Sequence, residues 1–397
     1  MNRKQLAALF VCSLVTFSAG NALMTFLPVY AVHLGATDAV TGIYLSLSFA
    51  ALSVGMLISG WLSERFQRRK LTIILCAVVS VPAIFLMGQG NSIELLTLFT
   101  MIAWFLGGVN NATVNILTAM YTNAHERGRI FGIMATTLAL GQVIGGFASG
   151  VIVEHWGYPA LFIAAAIAWI VPIFCGLLLD DHILSHTHRE QAVTTARVNG
   201  SLWLLLGANI LASITNFSAG LARPLIMDRL GFDAGAIASA VSVSGLITLP
   251  LPFVVGWLSD RFSRKQLLIW SYVLGSIGAV IMITALQLWQ FWLAASMFAL
   301  VSGMVGVGLA YVTDLVPAEG VGSALAYFSA TPPLAGVIGY AGTGFILQAL
   351  GMQGTFVAGA LLPVAAIAMM LMIRKGARPA PVLGIIRDAP QEDQPAA

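Results

Sequence analysis

Long apolar runs that carry almost no charge recur along the whole chain, and they restrict its fold more than any other feature. Charged residues make up 9% of the 397 residues and hydrophobic residues 58%, whereas ordinary soluble domains are about 25% charged. A soluble fold of this length could not bury so much apolar surface, so lipid must be the solvent for most of it. We therefore predict an all-α membrane protein, since a helix satisfies its own backbone hydrogen bonds in a bilayer.

Twelve of these runs are bounded by charged residues, proline or glycine, and each could cross a hydrocarbon core of about 30 Å as a helix. We predict transmembrane helices at about 6–32, 40–63, 71–89, 95–122, 130–153, 158–179, 201–226, 235–258, 267–286, 290–313, 322–348 and 353–373. The longest polar stretch lies in the middle of the chain. It divides the sequence into an N-terminal six-helix bundle (1–180), a cytoplasmic linker (181–200), a C-terminal six-helix bundle (201–375) and a disordered cytoplasmic tail (376–397).

The basic residues indicate the orientation of these helices. Seventeen of the 19 fall at the N-terminus, in the even-numbered loops or in the tail, and only Arg223 and Arg229 fall on the other side. Under the positive-inside rule both termini are cytoplasmic. The short loops favour a multi-pass protein of the plasma membrane, most simply a bacterial inner membrane. The basic residues are scattered rather than gathered in a stripe, which argues against a nucleic-acid partner.

Two segments of the first half return in the second half. Residues 60–70 read GWLSERFQRRK and residues 256–266 read GWLSDRFSRKQ, which is an offset of 196. A shorter echo, FSAG, occurs at 17–20 and at 217–220, which is an offset of 200. Both echoes map the first half onto the second in the same direction. Six spans per half then predict a parallel repeat whose axis runs along the membrane normal.

The duplicated segment resembles the signature loop of the major facilitator superfamily, a G-x-L-a-D-r-x-G-r-k pattern after spans two and eight. The resemblance covers essentially the whole chain and implies 12 transmembrane helices in two pseudo-symmetric six-helix bundles, the major facilitator fold. It also implies that these loops latch the halves together as a cytoplasmic gate. The gate residues would be Glu64, Arg65, Arg68, Arg69, Asp260, Arg261 and Arg264. Asp314 and Glu319, at the end of span ten, are candidate partners for the arginines.

The two copies depart from the usual signature. Glu64 stands where the pattern has Asp, and Gln67 and Ser263 stand where it has Gly. A glycine there eases a left-handed turn after a helix. Its absence indicates a modified loop rather than a lost one.

The same resemblance implies that spans one, four, seven and ten line a central cavity. Amide groups at mid-depth suit ligands with hydroxyl or carbonyl groups, because they both donate and accept hydrogen bonds. We predict substrate contacts at Asn21, Trp104, Asn110, Asn111, Asn115, Gln142, Asn216 and Arg223. For any single asparagine the alternative is interhelical hydrogen bonding, and for Arg223 it is snorkelling to the interface. Asn209 lies nearer the cytoplasm.

Span five carries a glycine pattern, GQVIGGFASG at 141–150, that resembles the antiporter signature of the superfamily. Gly146 stands in the place of its proline. The pattern favours export, with protons as a candidate coupling ion. However, no Asp, Glu, Lys or Arg is expected at mid-membrane depth, where charges are costly and usually functional. Proton coupling would then rest on peripheral acids such as Asp38 or Glu154, and a cavity without fixed charge would favour neutral or amphipathic substrates.

Other functions remain as alternatives. An importer or uniporter of a neutral solute such as a sugar would have the same architecture, and a channel would suit two parallel halves less well. A membrane-embedded enzyme would need convergent His, Asp, Glu or Ser groups at one depth, but the six histidines fall in loops or at span ends. The three cysteines have no metal-binding spacing. We therefore expect no catalytic residue, metal or cofactor, and a monomer whose partners are a small molecule and the bilayer.

Overall fold

The computed structural model describes residues 3–66, 68–122, 126–179, 200–317 and 320–373. Within these ranges the chain forms thirteen helices and no strand. They are α1 (Arg3–His33), α2 (Asp38–Phe66), α3 (Arg69–Met87), α4 (Ile93–Tyr121), α5 (Arg127–Ala168), α6 (Val171–Leu178), α7 (Gly200–Arg229), α8 (Ala234–Thr248), α9 (Leu251–Arg261), α10 (Arg264–Ile283), α11 (Leu288–Ser302), α12 (Val305–Leu315) and α13 (Val321–Met372). The predicted tail lies outside the described residues, as does the predicted linker except for Gly200.

Ten stretches of the described chain are long and apolar enough to cross a membrane, and two of them are 50 and 52 residues long. A straight helix of that length would measure about 75 Å, more than twice the thickness of the hydrocarbon core. Each long stretch contains one glycine outside the helical region, Gly157 (φ 77°) and Gly351 (φ 66°). The chain reverses at each glycine, because Leu179 belongs to the same core cluster as Leu9, and Met370 to the same core cluster as Leu205.

The twelve predicted transmembrane helices are therefore present. Spans one to four are α1 to α4, and α5 holds span five and most of span six, which ends in α6. Span seven is α7, span eight is α8 with α9, span nine is α10, span ten is α11 with α12, and α13 holds spans eleven and twelve. The ends at Arg3, Arg127, Arg264 and Met372 define the basic face. The ends at His33, Gly157, Arg229 and Gly351 define the opposite face.

The repeat is visible in the backbone as well as in the sequence. The four glycines with positive φ, in the part of the chain that the structure describes, are Gly35, Gly157, Gly231 and Gly351. All four end spans at the opposite face, where a left-handed residue closes a helix C-terminus. They form two pairs at offsets of 196 and 194, so the same turn is used in both halves.

Side-chain contacts give the register of the repeat. Ser13 shares a 2.8 Å hydrogen bond with Thr137, and Asn209 donates a 2.6 Å hydrogen bond to Thr331. These two contacts join spans one and five and spans seven and eleven, again at offsets of 196 and 194. The FSAG echo at an offset of 200 is thus four residues, or about one helical turn, out of the structural register. The loop echo at 196 is in register.

The two halves meet through spans five and eight and through spans two and eleven, near the opposite face. A Cβ on Gly150 would lie 2.7 Å from the Cβ of Ala238, and one on Gly344 would lie 2.8 Å from the Cα of Gly42. The helices therefore approach backbone to backbone, which only small residues permit.

The halves diverge toward the basic face. The face of span two that contacts the other half includes Leu57 farther along the helix. The corresponding face of span eight includes Phe253. These two side chains are 78% and 76% exposed. The interface is closed at the opposite face, and we infer from the exposure of these two side chains that the halves are separated at the basic face.

Candidate substrate cavity

A cavity of about 600 Å³ lies between the two halves and is lined by residues from spans one to eleven. All four spans predicted to line it contribute to its wall. Its volume is within the range of about 300–1,000 Å³ that is typical of sites for drug-sized molecules. Most of the lining is apolar, and a few polar groups project from it.

Seven of the eight predicted substrate residues line this cavity: Asn21, Trp104, Asn110, Asn111, Gln142, Asn216 and Arg223. The structure does not bring Asn115 to it. Asn115 is exposed, and Val114 is the last residue of span four in the lining. Asn115 follows Asn111 by one helical turn on the same face of α4, so the helical period predicts its direction correctly but not its depth.

The adjacent asparagines of span four have different environments. Asn110 is only 1% exposed, donates to the hydroxyl of Thr16 at 3.4 Å and accepts a weak contact from the Cys12 thiol at 4.0 Å. It therefore joins spans one and four, which is the alternative anticipated for any single asparagine. Asn111 is half-buried in the cavity wall, and no described residue forms a hydrogen bond with its amide.

Two polar groups of the cavity wall are buried without a protein partner among the described residues. They are the amide oxygen of Gln142 in span five and the hydroxyl of Tyr272 in span nine. An unsatisfied buried group costs about 1–3 kcal/mol. Both atoms lie just behind the surface of the cavity, so a small side-chain movement would be needed before a ligand could bind them.

The amides of span seven hold the C-terminal half together. Asn216 donates to the hydroxyl of Ser302 in span ten, and Asn209 donates to Thr331 in span eleven. Asn209 also lines the cavity, although its position in the sequence is nearer the basic face. Asn21 donates to the carbonyl of Phe17 within its own helix at 2.8 Å.

Three aromatic rings meet at the wall of the cavity. The ring centroids of Phe49, Phe217 and Tyr340 lie 5.2, 4.9 and 5.4 Å apart, which is the tilted or edge-to-face packing that aromatic pairs prefer. Phe49 belongs to the N-terminal half and the other two rings to the C-terminal half. We call this group the aromatic cluster. Nothing in the sequence distinguishes these rings from the many that face lipid.

Contacts between polar side chains of the two halves close the opposite face beyond the aromatic cluster. Arg229 pairs with Asp38, and the imidazole of His33 lies 3.7 Å from the carboxylate of Asp228. The side chain of Gln348 also accepts from the backbone N–H of Ala39 at 3.0 Å. Each contact joins one half to the other. We call the first four residues the opposite-face latch.

The predicted gate residues lie at the basic face. Arg264 donates to Asp314 at 2.7 Å and to the carbonyl of Ala310 at 2.8 Å. The guanidinium of Arg261 lies 3.9 Å above the ring of Trp257. Both arginines thus bind within the C-terminal half, whereas the signature was expected to pair them across the interface.

Three other predicted gate residues lie at the end of α2 and the start of α3. Arg65 is exposed, Arg68 occupies the N-cap position of α3, and Arg69 begins that helix. The side chains of Glu64 and Asp260 lie outside the described part of the structure, as does Glu319.

Arg223 is the one charged residue among the described residues that line the cavity. It is half-buried, six residues before the end of α7. It forms no hydrogen bond or ion pair with any described residue. The expectation of a cavity without fixed charge is therefore wrong. Arg223 lies near the opposite face rather than at mid-membrane depth, but its side chain lines the cavity.

Two pseudo-symmetric six-span bundles around a central cavity that is closed at one face define a membrane transporter, not an enzyme. The chain belongs to the major facilitator superfamily, whose family model matches residues 9–208 and again residues 204–395. It is a multi-pass membrane protein of that fold.

Curated relatives are about a quarter identical to this chain over the aligned residues. Multidrug resistance protein MdtG of Klebsiella pneumoniae (strain 342) is 25% identical over 287 residues, which cover 67% of this chain and 68% of the relative. The protein of the same name from Salmonella dublin is 24% identical over 309 residues, which cover 72% and 74% of the two chains.

Solved structures of other transporters have the same fold. A peptide transporter POT mutant in complex with alafosfalin has a TM-score of 0.75 at 11% identity, covering 93% of this chain and 94% of the other. A bacterial homolog of the human lysosomal transporter Spinster, inward-facing and occupied, has a TM-score of 0.73 at 15% identity, covering 93% and 96%.

Proposed function

We propose that this protein exports small, largely apolar molecules across a bacterial inner membrane by alternating access. The observation that carries the proposal is the cavity of about 600 Å³ between the halves, which is closed at one face. The glycine pattern of span five supports export, because Gly146 and Gly150 bring span five against span eight of the other half. The likeness to MdtG proteins supports the same direction.

The orientation follows from the positive-inside rule. With both termini in the cytoplasm, the opposite face is external and the structure is inward-facing. Transport would then proceed by rocking of residues 1–180 against residues 201–375. The opposite-face latch and the aromatic cluster would separate as the outward-facing state forms. The signature loops, with Glu64 and Asp260, would latch the basic face in that state.

Proton coupling is a candidate rather than a requirement of this cavity, whose described lining holds no carboxylate. Asp38 and Glu154 lie near the opposite face at the junction of the halves. Asp38 pairs with Arg229, and the carboxylate of Glu154 lies 2.9 Å from where a Cβ on Gly235 would be. Both acids change surroundings when the halves part, which is what a coupling group needs.

The test is flux into or out of proteoliposomes, with internal pH recorded while lipophilic cations, neutral drugs and sugars are added in turn. Substrate-dependent proton movement against the direction of substrate would establish antiport, and Asp38→Asn and Glu154→Gln would then identify the coupling acid. Substrate flux without proton movement would exclude proton coupling. Trp104→Ala should reduce flux severalfold, and Asn115→Ala, outside the cavity, is the matched control.

One observation favours a second candidate, an importer or uniporter of a hydroxyl-rich neutral solute. Asn111 and Gln142 line the cavity, no described residue forms a hydrogen bond with the Asn111 amide or with the Gln142 amide oxygen, and amide groups suit hydroxyls. Counterflow of a labelled sugar, with no flux of lipophilic drugs, would support this function over export.

A further inference from the structure

We propose that the cavity selects amphipathic molecules that carry a single negative charge, and that Arg223 binds the charged group. This inference rests on the proposed transport function and names the substrate class of the same cavity. The charged group is a carboxylate or a chemically similar oxyanion. The body attached to it is apolar and of drug-like size.

The first argument is the isolation of the cation. Arg223 faces the cavity among apolar neighbours, and no described residue pairs with it. A charge removed from water is strongly destabilising unless it is paired. Ionisable residues at such places in membrane proteins usually serve function. A substrate anion would supply the missing partner during transport.

The second argument is the absence of a competing anion. The described lining contains no Asp or Glu. Two carboxylates at the opposite-face ends of spans seven and two have other partners, since Asp228 contacts His33 and Asp38 binds Arg229. No carboxylate among the described residues therefore competes with a substrate anion for the guanidinium of Arg223.

The third argument is the space and the second donor beside Arg223. Gly220 lies one turn earlier on the same face of α7 and also lines the cavity. The hydroxyl of Tyr340 lies 3.7 Å from where a Cβ on Gly220 would be. The absence of a side chain at Gly220 leaves room for a ligand group beside the Tyr340 hydroxyl, one helical turn from Arg223, whose guanidinium fork matches the geometry of a carboxylate.

The fourth argument concerns the rest of the occupant. Phe49, Phe217, Trp104 and Met24 line the remainder of the cavity, and aromatic and thioether groups favour an apolar or aromatic body. One cation can neutralise one negative charge only. Small, multiply charged anions would remain uncompensated in this lining, so they are excluded as substrates.

The test uses two probes that differ only in charge, 1-naphthaleneacetic acid and its neutral amide, 1-naphthaleneacetamide. Binding of each is measured by isothermal titration on the purified full-length protein at pH 7.5. The wild type should bind the acid about 10- to 100-fold more tightly than the amide, which is the worth of a charge-assisted hydrogen bond.

Variants at Arg223 locate the effect. Arg223→Gln should abolish the preference while leaving amide binding within about twofold, which also shows that the variant is folded, and Arg223→Lys should keep part of the preference. Asn115→Ala is the matched control. Equal binding of acid and amide to the wild type, a preference that survives Arg223→Gln, or no binding of either probe would overturn the proposal.

The failure of transport is distinguishable from the failure of this inference. If neutral drugs or cations are transported in proteoliposomes but the acid is neither bound nor transported, the exporter stands and the anion site is wrong. If the acid binds through Arg223 but no flux of any compound is observed, the anion site stands and the exporter is wrong.

Discussion

The two halves of this protein share a framework but differ where they meet the substrate cavity. Spans two and four are continuous helices, α2 and α4, of 29 residues each. Their counterparts, spans eight and ten, are interrupted at Leu249–Pro250 and at Gly303–Met304. Residues beside both interruptions, Thr248 and Met304 among them, line the cavity. Span six of the N-terminal half has one break of the same kind, at Trp169–Ile170, so among the described residues such breaks number two in the C-terminal half and one in the N-terminal half.

The register of the repeat sharpens this difference. At the offset of 196, Arg223 corresponds to Leu27, which is 1% exposed in the core. At the offset of 194, Tyr340 corresponds to Gly146, whose Cβ would contact Ser242 of the other half. The N-terminal half thus uses these positions for packing, and the C-terminal half uses them for the cavity. We infer that the duplicated framework serves closure of the interface in both halves, whereas the positions of Arg223 and Tyr340 serve the cavity in the C-terminal copy alone.

The largest expected effect comes from exchanging the two members of the Leu27/Arg223 pair. Leu27→Arg would bury a charge without a partner, at a cost of about 3–5 kcal/mol, and should lower the apparent melting temperature by more than about 5 °C. Arg223→Leu should leave the melting temperature unchanged or raised. Fluorescence-detected melting in detergent measures both. Equal destabilisation by the two substitutions would show that the halves do not differ in this way.

A second substitution tests the shared framework. Gly344→Leu should prevent closure at the opposite face, because a Cβ there would lie 2.6 Å from the carbonyl oxygen of Asp38, and overpacking costs about 1–3 kcal/mol. Transport should fall at least about tenfold. Gly150→Leu, its counterpart in the other half, should act alike.

The control for Gly344→Leu is Gly342→Leu in the same helix, where a Cβ would meet nothing within 4 Å. The state of the interface can be followed by electron–electron double resonance between labels on Val40→Cys and Leu350→Cys, which are exposed on different halves. Gly344→Leu should lengthen this distance and Gly342→Leu should not. An equal loss of transport in both variants would contradict the role of the close approach.

Removing an ion pair of the opposite-face latch should have a smaller effect on the closure of the interface. Arg229→Gln removes the ion pair with Asp38, and pairs with solvent access are worth about 0.2–1 kcal/mol. In the distribution of the same label distance, the ratio of open to closed molecules should therefore rise by up to about fivefold. Arg229→Lys, which keeps a positive charge beside Asp38, is the matched control and should leave the distance unchanged. A shift of the same size in both variants would count against the latch.

The smallest effect separates the neighbouring asparagines of span four. Asn110→Ala should lower stability by about 0.6 kcal/mol, the average for an interhelical hydrogen bond in a membrane, with little change in substrate affinity. Asn111→Ala should do the reverse. Melting temperatures and titration with a transported drug measure the two properties. The reverse assignment would mean that Asn110, not Asn111, faces the ligand.

Much of the fold could be predicted from the sequence, because lipid imposes length and polarity on every span. The repeat was evident from the loop segment, yet the FSAG echo was misleading. A four-residue match shifted by one turn preserves the helical face, so it cannot be recognised as wrong without the contacts of Ser13 and Asn209. Polar residues inside apolar helices are costly to expose to lipid, so they face the bundle interior or a water-filled cavity. Most predicted substrate residues therefore line the cavity.

The remainder depends on tertiary packing that has no local signature. The chain has 21 phenylalanines, and the sequence does not separate Phe217 in the aromatic cluster from Phe253, which is largely exposed. The pair of Asp38 with Arg229 joins residues 191 positions apart. Its members lie at ordinary helix ends, so neither periodicity nor charge pattern indicates the contact.

The glycine turns at the opposite face have a consequence for reagents that arrive from that side. Only four residues separate α1 from α2, and four separate α7 from α8, and each of these turns is closed by a left-handed glycine. An antibody or a protease therefore has almost no extended loop to bind at this face. An epitope inserted there would have to disrupt the turn in order to be accessible. Inserted epitopes and affinity tags for this protein belong at the basic face, whereas single cysteine labels can be placed on exposed helix residues of the opposite face.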